Sequence, residues 1–221
     1  MKVSDALRAR KSVRAFTDQA VSEEQIRQIL DAARCAPSGV NTQPWKVAVV
    51  TGDTKQKLQT RIETAFRGGE GASQEYQYYP TEWQEPYSSR RKECGVLLYS
   101  AVGIKREDKQ RRQDQWAANY RSFDAPVMLL FFMDSVMETG SYLDYGMFLQ
   151  SIMLTATEMG LATCPQAALG EYPHIVRDEL GYDDSSMVLC GISLGYEDTS
   201  DAVNSYRTPR EEVDAFTRFY N

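Results

Sequence analysis

One segment, GSYLDYGMFLQSIMLTATEMGL from Gly140 to Leu161, limits the possible folds of this chain more than any other. Its apolar residues occupy most of the circumference of a helix instead of one stripe, and such a helix must be covered on all sides. In a chain of 221 residues it lies either at the centre of the core or at a contact between subunits. The length suits a single domain spanning residues 1–221.

The composition is that of an ordinary soluble globular protein, with 42% hydrophobic and 25% charged residues. A net charge of −6 argues against nucleic acid or an anionic membrane as the principal partner. The longest strongly apolar run, Val127 to Met133, is too short to span a bilayer, and the N-terminus has no signal-peptide core. The sequence therefore predicts a cytoplasmic protein.

Neither a metal centre nor a disulfide framework is expected. The four cysteines are scattered without a C-x-x-C pair, which favours reduced and mostly buried thiols. The only histidine, His174, follows Pro173 at an apparent helix start, where a capping or surface role is favoured over a catalytic one.

Local signals predict several helices. Ser22 and Gln25 form a capping box that begins a helix from Glu23 to Cys35. Asp53 is a plausible N-cap for a helix that reaches Phe66. Further helices are expected over residues 88–102, 106–120 and 140–161, with strands over 46–51, 127–134 and 186–196. Helices and strands alternate without a repeated βαβ unit, so we predict an α+β sandwich of helices around a mixed sheet.

The stretch from Gly68 to Tyr87 is rich in glycine, acidic and aromatic residues and has no clear periodicity. Long irregular segments in compact domains are often functional. We interpret residues 68–91 as a lid or insertion within the domain.

Several catalytic motifs are missing. The sequence has no G-x-G-x-x-G after a strand, no G-x-x-x-x-G-K and no G-x-S-x-G. If the chain is an enzyme, a bound cofactor is expected to supply its chemistry.

The run RKSVRAF, Arg10 to Phe16, gathers positive charge in an acidic protein. It is either a solvated charge run at a helix end or a binding site for an anion. Arginine suits the second role, because its planar fork binds phosphate oxygens bidentately.

Four segments together resemble FMN-dependent nitroreductases: RKSVRAF, APSGVNTQPWKV, GLATCPQAA and NSYRTPREEVDAF, in that order over almost the whole chain. The resemblance implies a three-layer α+β sandwich with a mixed, mainly antiparallel sheet and a homodimer of the domain-swapped type. It also implies FMN at each of two interface sites and reduction by NADH or NADPH.

The resemblance also suggests cofactor-binding residues. Arg10 and Arg207 are candidates for the phosphate, Ser12 for a hydroxyl contact, and Arg14 for the phosphate or the pyrimidine edge. The loop after the second helix would reach the flavin of the other subunit, although it can also be a simple tight connector. Backbone N–H groups near Gln166 and Ala167 would face flavin N5. The full set is Arg10, Lys11, Ser12, Arg14, Pro37, Ser38, Gly39, Asn41, Gln43, Pro165, Gln166, Ala167 and Arg207.

The chain departs from the family pattern in two places. Ser205 stands where the family often has a lysine, two residues before Arg207. The amide and lysine that the family supplies from mid-chain have no clear counterpart, and Arg90, Arg91 and Lys92 are possible substitutes.

Aromatic side chains of the variable middle segment could cover the site by stacking, or could be ordinary packing residues. As substrate-lining residues we predict Tyr79, Trp83, Trp116, Tyr120 and Phe123.

The resulting prediction is an FMN-dependent NAD(P)H oxidoreductase that reduces nitroaromatic acceptors, and quinones as a second class, by two-electron ping-pong hydride transfer through flavin N5. No amino-acid side chain is predicted to be catalytic. One alternative is reductive dehalogenation of a halotyrosine, with Glu75, Tyr79 and Glu82 holding the zwitterion. Another is a non-catalytic flavin-binding dimer.

Overall fold

The computed structural model describes residues 1–220 and is built around a four-stranded sheet. The strands are β1 (Lys46–Val50), β2 (Val127–Asp134), β3 (Ala162–Gln166) and β4 (Ser186–Gly195). They lie in the order β1-β2-β4-β3, and each neighbouring pair is antiparallel. Parallel pairing within residues 1–220 is limited to an isolated bridge between Ser12 and Thr163.

Helices cover both faces of the sheet. They are α1 (Val3–Ala9), α2 (Glu23–Ala33), α3 (Gly52–Arg67), α4 (Tyr87–Ala101), α5 (Lys109–Ala117), α6 (Gly140–Glu158), α7 (Pro173–Leu180) and α8 (Val213–Phe216).

Side chains of β2 alternate between two apolar clusters, because successive residues of a strand point to opposite faces. Leu129 and Phe131 lie in the cluster formed with α2 and α6. Leu130 and Phe132 lie in the cluster formed with α3 and α7. All of these β2 side chains are fully buried. The result is a three-layer sandwich, and the predicted α+β class is confirmed.

Most predicted helices exist with shifted ends. Helix α2 has both hydrogen bonds of the predicted capping box but ends at Ala33 instead of Cys35. The helix predicted over 106–120 is shorter, because the side chain of Asp108 accepts a hydrogen bond from the Arg111 N–H and begins α5 at Lys109. The prediction that Asp53 is an N-cap is wrong: Thr51 occupies that position. Asp53 lies in the first turn of α3, where a carboxylate favours the helix dipole.

Helix α6 is covered on one side and open on the other. Phe148 is buried and stacks on Trp45, with ring centroids 4.6 Å apart and planes 3° from parallel. On the opposite side Leu143 is 75% exposed and Met147 is 40% exposed. The apolar circumference predicted from the sequence thus serves the core along one side and leaves an uncovered apolar strip along the other.

A bulge in β4 anchors the start of the irregular segment. The register between β2 and β4 shifts so that Leu189 has no partner across the ladder. The Tyr76 hydroxyl donates a hydrogen bond to the Leu189 carbonyl at 2.7 Å. The Glu75 carboxylate accepts from the Val188 N–H at 2.8 Å and pairs with Arg177 at 2.6 Å. Glu75 and Tyr76 therefore satisfy backbone groups that the bulge frees.

The segment predicted as a lid has two parts. Residues 68–86 contain no helix or strand, whereas residues 87–91 form the first turn of α4. Between the Tyr76 anchor and α4, Tyr79 contacts Tyr78 and Trp83, with ring centroids 4.6 and 5.6 Å away. The description of residues 68–91 as a lid stays a prediction.

The surface position of His174 agrees with its sequence context. Its side chain is 54% exposed, and its Nε2 lies 3.0 Å from the Glu70 carboxylate. Within residues 1–220, no cluster of three or more His, Cys, Asp or Glu side chains has a metal-binding arrangement. None of the described helices is long and apolar enough to cross a lipid bilayer.

Gly191 in the middle of β4 provides a stability test. A Cβ atom there would lie 2.4 Å from Leu169 Cδ1 and 2.9 Å from the Leu129 carbonyl oxygen. We expect Gly191→Ala to lower the free energy of unfolding by roughly 1–3 kcal/mol through overpacking, measured by urea titration. In Gly95→Ala, a matched control in α4, the added methyl meets nothing within 4 Å. Equal midpoints for both variants would contradict the packing described here.

Candidate functional site

The two ends of the chain meet in a strongly basic cleft of about 500 Å³. We call it the arginine cleft. No Asp or Glu is among the described residues that line it. Its lining residues are Leu7, Arg8, Arg10, Lys11, Ser12, Arg14, Cys94, Tyr206, Arg207, Thr208 and Arg210. A cleft with this lining attracts anions in a protein whose net charge is −6.

Arg10 is the cation with unmet hydrogen-bonding capacity. Its Nε is buried and has no hydrogen-bond partner among the described residues. Burial lowers the pKa of the Arg10 guanidinium, and the charges of Arg210 and Arg207 lower it further. Since a guanidinium stays protonated, this unfavourable environment is relieved when an anion enters.

Arg207 lies beside Arg10, although 197 residues separate them. Its Nη1 donates to the Arg8 carbonyl at 2.6 Å, and its Nη2 donates to the Ala9 carbonyl. These bonds satisfy carbonyls at the C-terminus of α1, where positive charge also favours the helix dipole. Arg207 therefore contributes charge to the cleft while its donors hold α1 in place.

Arg210 is a cleft residue that the sequence analysis missed. Its Nη1 bonds to the Thr208 side chain at 2.8 Å, which fixes the guanidinium near Arg10. Ser205, at the position where a lysine was expected, donates instead to the Ala202 carbonyl at 2.7 Å. Arg210 thus supplies the positive charge that Ser205 does not. In the sequence, Arg210 could have been identified only from its place in TPRE, within the C-terminal motif.

The N-terminal run supplies further residues of the cleft. Lys11 is already engaged, with its Nζ 2.6 Å from both the Glu197 carboxylate and the Asn204 carbonyl. The Arg14 guanidinium lies 3.2 Å from the Tyr206 hydroxyl and 6.0 Å from the centroid of the Phe123 ring. Ser12 lies against Thr163 of β3 through the isolated bridge.

Asn204 joins the two ends of the chain, and sequence reasoning did not single it out. This residue is 4% exposed. Its Oδ1 accepts from the Arg14 N–H at 2.8 Å, and its Nδ2 donates to the Ala15 and Asp198 carbonyls at 2.9 and 2.8 Å. The amide is fully used, so Asn204 fixes the position of the basic run relative to the C-terminal segment. Its place at the start of NSYR was the only signal in the sequence.

Strand β3 places the predicted ring-facing residues next to the basic run. Pro165 is exposed, whereas Gln166 is 4% exposed. The Gln166 side chain donates to the Asn119 carbonyl at 2.9 Å and accepts from the Ser193 hydroxyl. The Gln166 side chain is therefore engaged within the chain. The backbone role expected for Gln166 and Ala167 stays a prediction.

The predicted loop residues Pro37, Ser38, Gly39, Asn41 and Gln43 lie elsewhere. The Gly39 N–H donates to the Asp144 carboxylate at 3.2 Å, and the Gln43 N–H donates to Ser38 Oγ at 2.9 Å. Val40, Asn41 and Gln43 have left-handed backbones, and Val40 is 97% exposed. These contacts hold the loop in a defined shape in which the Val40 side chain points into solvent.

These two groups of residues lie at opposite ends of the sheet. The loop leads into Lys46, which pairs with Phe132 near the end of β2. Ser12 adjoins Thr163, whose partner Leu194 pairs with Val127 at the start of β2. Phe132 and Val127 are five residues apart along β2, a distance of roughly 17 Å. The two groups of residues are therefore not neighbours within one chain.

The predicted substrate-lining aromatics differ in accessibility. Tyr79 is 54% exposed and Trp116 is 47% exposed. Tyr120 is 1% exposed, packs on Tyr172 and Phe66, and donates to the Glu171 carboxylate at 2.5 Å. Its ring has no free face in this chain, because it belongs to the core. Burial raises the pKa of Glu171, and the hydrogen bond from Tyr120 partly offsets this rise.

Phe123 and Trp83 each contact an arginine. Phe123 is 4% exposed and lies in a turn, residues 122–124, in which all three residues have φ between 52° and 59°. That left-handed turn holds the ring beneath Arg14. Trp83 packs on Arg91, whose guanidinium carbon lies 4.9 Å from the ring centroid.

The suggested substitutes for the mid-chain amide and lysine do not line the arginine cleft. Arg90 pairs with Glu211 at 2.8 Å. Arg91 and Lys92 line a separate cleft between α4 and α5. Cys94 is the α4 residue that reaches the arginine cleft.

Comparison with known proteins supplies independent findings. The family model described as "Nitroreductase family" matches residues 7–196. The chain is 41% identical over 218 residues to the chloronitrobenzene nitroreductase of Comamonas testosteroni, covering 98% of this chain and 96% of that protein. It is 40% identical over 211 residues to the 4-nitrobenzoate reductase of Pseudomonas putida, covering 96% and 92%.

A solved structure extends the likeness to the whole fold. The "FMN and NADPH-dependent nitroreductase NfnB from sphigopyxis sp. strain HMH" superimposes with a TM-score of 0.97 at 40% identity, covering 100% of both chains. An iodotyrosine dehalogenase 1 homolog of Caenorhabditis elegans is more distant, at 26% identity over 225 residues and 60% of that protein's length.

The role of Asn204 can be tested by substitution. We expect Asn204→Ala to lower the free energy of unfolding by roughly 2–4 kcal/mol, because each buried polar group left without a partner costs about 1–3 kcal/mol. Urea titration measures the loss. Gln28→Ala, which removes an exposed amide from α2, is the control and should change stability by less than about 0.5 kcal/mol. Equal stability of the two variants would show that Asn204 does not join the chain ends.

Proposed function

Because this chain belongs to the nitroreductase family, we propose that its arginine cleft holds the phosphate of FMN and that it is an NAD(P)H-dependent reductase of nitroaromatic compounds. The buried Nε of Arg10, without a partner in a cleft that no described acid lines, is the observation that supports the phosphate assignment best.

The cleft has the charge that a phosphate monoester requires. Such a group carries close to two negative charges at neutral pH, with second pKa near 6. Arg10 offers an unused donor, while Arg207 and Arg210 add positive charge close to it. Each charge-assisted hydrogen bond contributes about 1.5–3 kcal/mol. The anion also offsets the burial and the neighbouring positive charges that lower the pKa of Arg10.

FMN, when bound, supplies two-electron hydride chemistry between NAD(P)H and a nitro group. The chain's residues bind and orient the cofactor. Arg14, held by Tyr206 and Phe123, is placed to serve the phosphate or to stabilise negative charge at the pyrimidine edge. Backbone groups of Gln166 and Ala167 lie where β3 ends, next to the basic run, and are proposed to face the ring.

We propose that the complete site forms in a homodimer with exchanged segments. The loop of residues 37–43 and the arginine cleft lie at opposite ends of one sheet. In the proposed dimer, a second copy supplies the loop to each site. Uncovered apolar surface is available for such an association. It includes Leu143 and Met147 of α6, Leu7 of α1, and Val213, Phe216, Phe219 and Tyr220 near the C-terminus.

Nitroaromatic compounds are the proposed acceptors, and quinones are a second proposed class because both are flat and accept electron pairs. We place the protein in the cytoplasm on the ground that it consumes NAD(P)H. The halotyrosine alternative has weaker support in the structure. Glu75, which was to hold an amino-acid zwitterion, is engaged by Arg177 and the Val188 N–H.

Flavin retention tests the phosphate assignment. We expect Arg10→Ala to raise the dissociation constant of FMN about 10- to 100-fold, since it removes a charge-assisted hydrogen bond. The Arg10→Ala, Arg207→Ala double variant should purify largely colourless. Arg27→Ala is the control, because this arginine pairs with Glu23 on α2 away from the cleft and should leave the yellow protein unchanged. A double variant that retains full flavin would refute the assignment.

Turnover is tested by anaerobic spectroscopy. NADPH or NADH should bleach the flavin absorbance, and 4-nitrobenzoate should restore it. A flavin that no reductant bleaches would identify a non-catalytic binding protein. Reoxidation by iodotyrosine but not by nitrobenzoate would identify a dehalogenase.

A further inference from the structure

A second cleft, of about 830 Å³, lies between α4 and α5 and is not explained by the phosphate site. We call it the α4–α5 cleft. It combines aromatic rings with an unusual number of cations. The cations that line it are Arg91, Lys92, Lys105, Arg106 and Arg112, and the aromatic residues are Tyr99 and Trp116.

None of these five cations has a carboxylate within ion-pair distance among residues 1–220. Asp108, an acidic residue beside the cleft, caps α5 and pairs with Arg111 at 3.7 Å. Most arginines on the rest of the surface are paired, for example Arg61 with Asp178 and Arg67 with Asp114. Outside the arginine cleft, unpaired positive charge is thus concentrated in the α4–α5 cleft.

The cleft is held in shape by its own contacts. Arg111 donates to the Val102 and Gly103 carbonyls at 3.1 and 3.0 Å and so fixes the turn between the two helices. Arg112 donates to the Arg106 carbonyl at 3.2 Å, and its guanidinium carbon lies 5.1 Å from the centroid of the Tyr99 ring. The position of Lys105 and Arg106 on the rim is therefore fixed through the backbone.

Trp116 gives the cleft an accessible aromatic face. Its Nε1 donates to the Tyr120 hydroxyl at 3.1 Å, which fixes the orientation of the indole. The side chain nevertheless stays 47% exposed. A fixed, half-exposed indole is suited to stacking against a flat heterocycle.

We propose that the α4–α5 cleft binds the adenosine end of NADPH, with the 2′-phosphate on Lys105 and Arg106 and the adenine against Trp116. The inference rests on the proposed function, since it assigns the reductant of the same enzyme. NADH lacks the 2′-phosphate, so this cleft makes the chain selective for NADPH.

The position of the cleft suits a dinucleotide that reaches the flavin. Helix α4 separates the two clefts: Cys94 lines the arginine cleft, and the adjoining Gly95 and Val96 line the α4–α5 cleft. A helix with its side chains is about 10–12 Å wide. An extended dinucleotide, two nucleosides joined by a pyrophosphate, is long enough to pass such a width. A nitrobenzoate carboxylate, with one charge, would not require five cations.

Binding of a nucleotide fragment tests the site without any turnover. Adenosine 2′,5′-bisphosphate should bind at least about tenfold more tightly than 5′-AMP, measured by calorimetry and by quenching of Trp116 fluorescence. The Lys105→Ala, Arg106→Ala double variant should lose this difference, and Trp116→Phe should lose the quenching. Both basic residues are exposed and make no side-chain hydrogen bonds, so the fold should survive their removal.

Kinetics of the holoenzyme provide the second measurement. In the double variant, the ratio of kcat/KM for NADPH to that for NADH should fall at least about tenfold. Lys57→Ala, which removes an exposed positive charge on α3 outside the lining of the cleft, is the control and should keep the ratio.

Three outcomes would overturn the proposal. The first is equal binding of adenosine 2′,5′-bisphosphate and 5′-AMP. The second is an unchanged ratio of kcat/KM for NADPH to that for NADH in the double variant. The third is a double variant that loses apparent affinity only for nitrobenzoate, which would make the cleft an acceptor site. A failure of the proposed function is distinguishable from these. In that case the protein would oxidise neither reductant, while the nucleotide-binding comparison would still give a result.

Discussion

The arginine cleft gathers guanidinium groups from both ends of the chain, with Arg10 partly buried among them, and the contacts around it serve to hold this arrangement. Burial lowers the pKa of Arg10, the positive charges of Arg210 and Arg207 lower it further, and no described acidic residue lines their cleft. The remaining fold must hold these charges together. It does so with directional bonds, chiefly the fully used amide of Asn204 and the capping of α1 by Arg207. Binding of an anion converts this unfavourable arrangement into affinity.

The sheet determines where the binding elements can go. Its central strand β2 is buried on both faces, so functional residues are found at the strand ends and in the connections. The basic run lies at one end of β2 and the loop of residues 37–43 at the other. This separation supports the proposed homodimer, in which each copy supplies the group of residues that the other lacks at a given site.

The sequence predicted local structure well where one signal acts alone. The capping box of α2 forms with both of its hydrogen bonds, and the apolar run Val127 to Met133 of β2 is buried throughout. Helix ends were less accurate, as at Asp53, because several residues compete for a cap. The meeting of Arg10 and Arg207 came from resemblance, since no local pattern brings together residues at the two ends of a chain.

The errors and omissions at the site have a common physical cause. Tyr120 was predicted to face a substrate, but a buried partner, Glu171, draws its hydroxyl into the core. Glu75 was proposed for a ligand and instead serves a bulge in β4. Asn204 and Arg210 were missed although both lie in the recognised C-terminal motif. In each case the role depends on a residue distant in sequence, and single-sequence patterns contain no such distances.

The anchor at the β4 bulge has an evolutionary consequence. Tyr76 is hydrogen-bonded to the Leu189 carbonyl, and Tyr87 begins α4. The ten residues between them therefore form a loop that is held at both ends. Such a loop can gain, lose or exchange residues without altering the register of any strand. Its rings, Tyr78, Tyr79 and Trp83, can therefore be exchanged while the strands and the arginine cleft keep their structure.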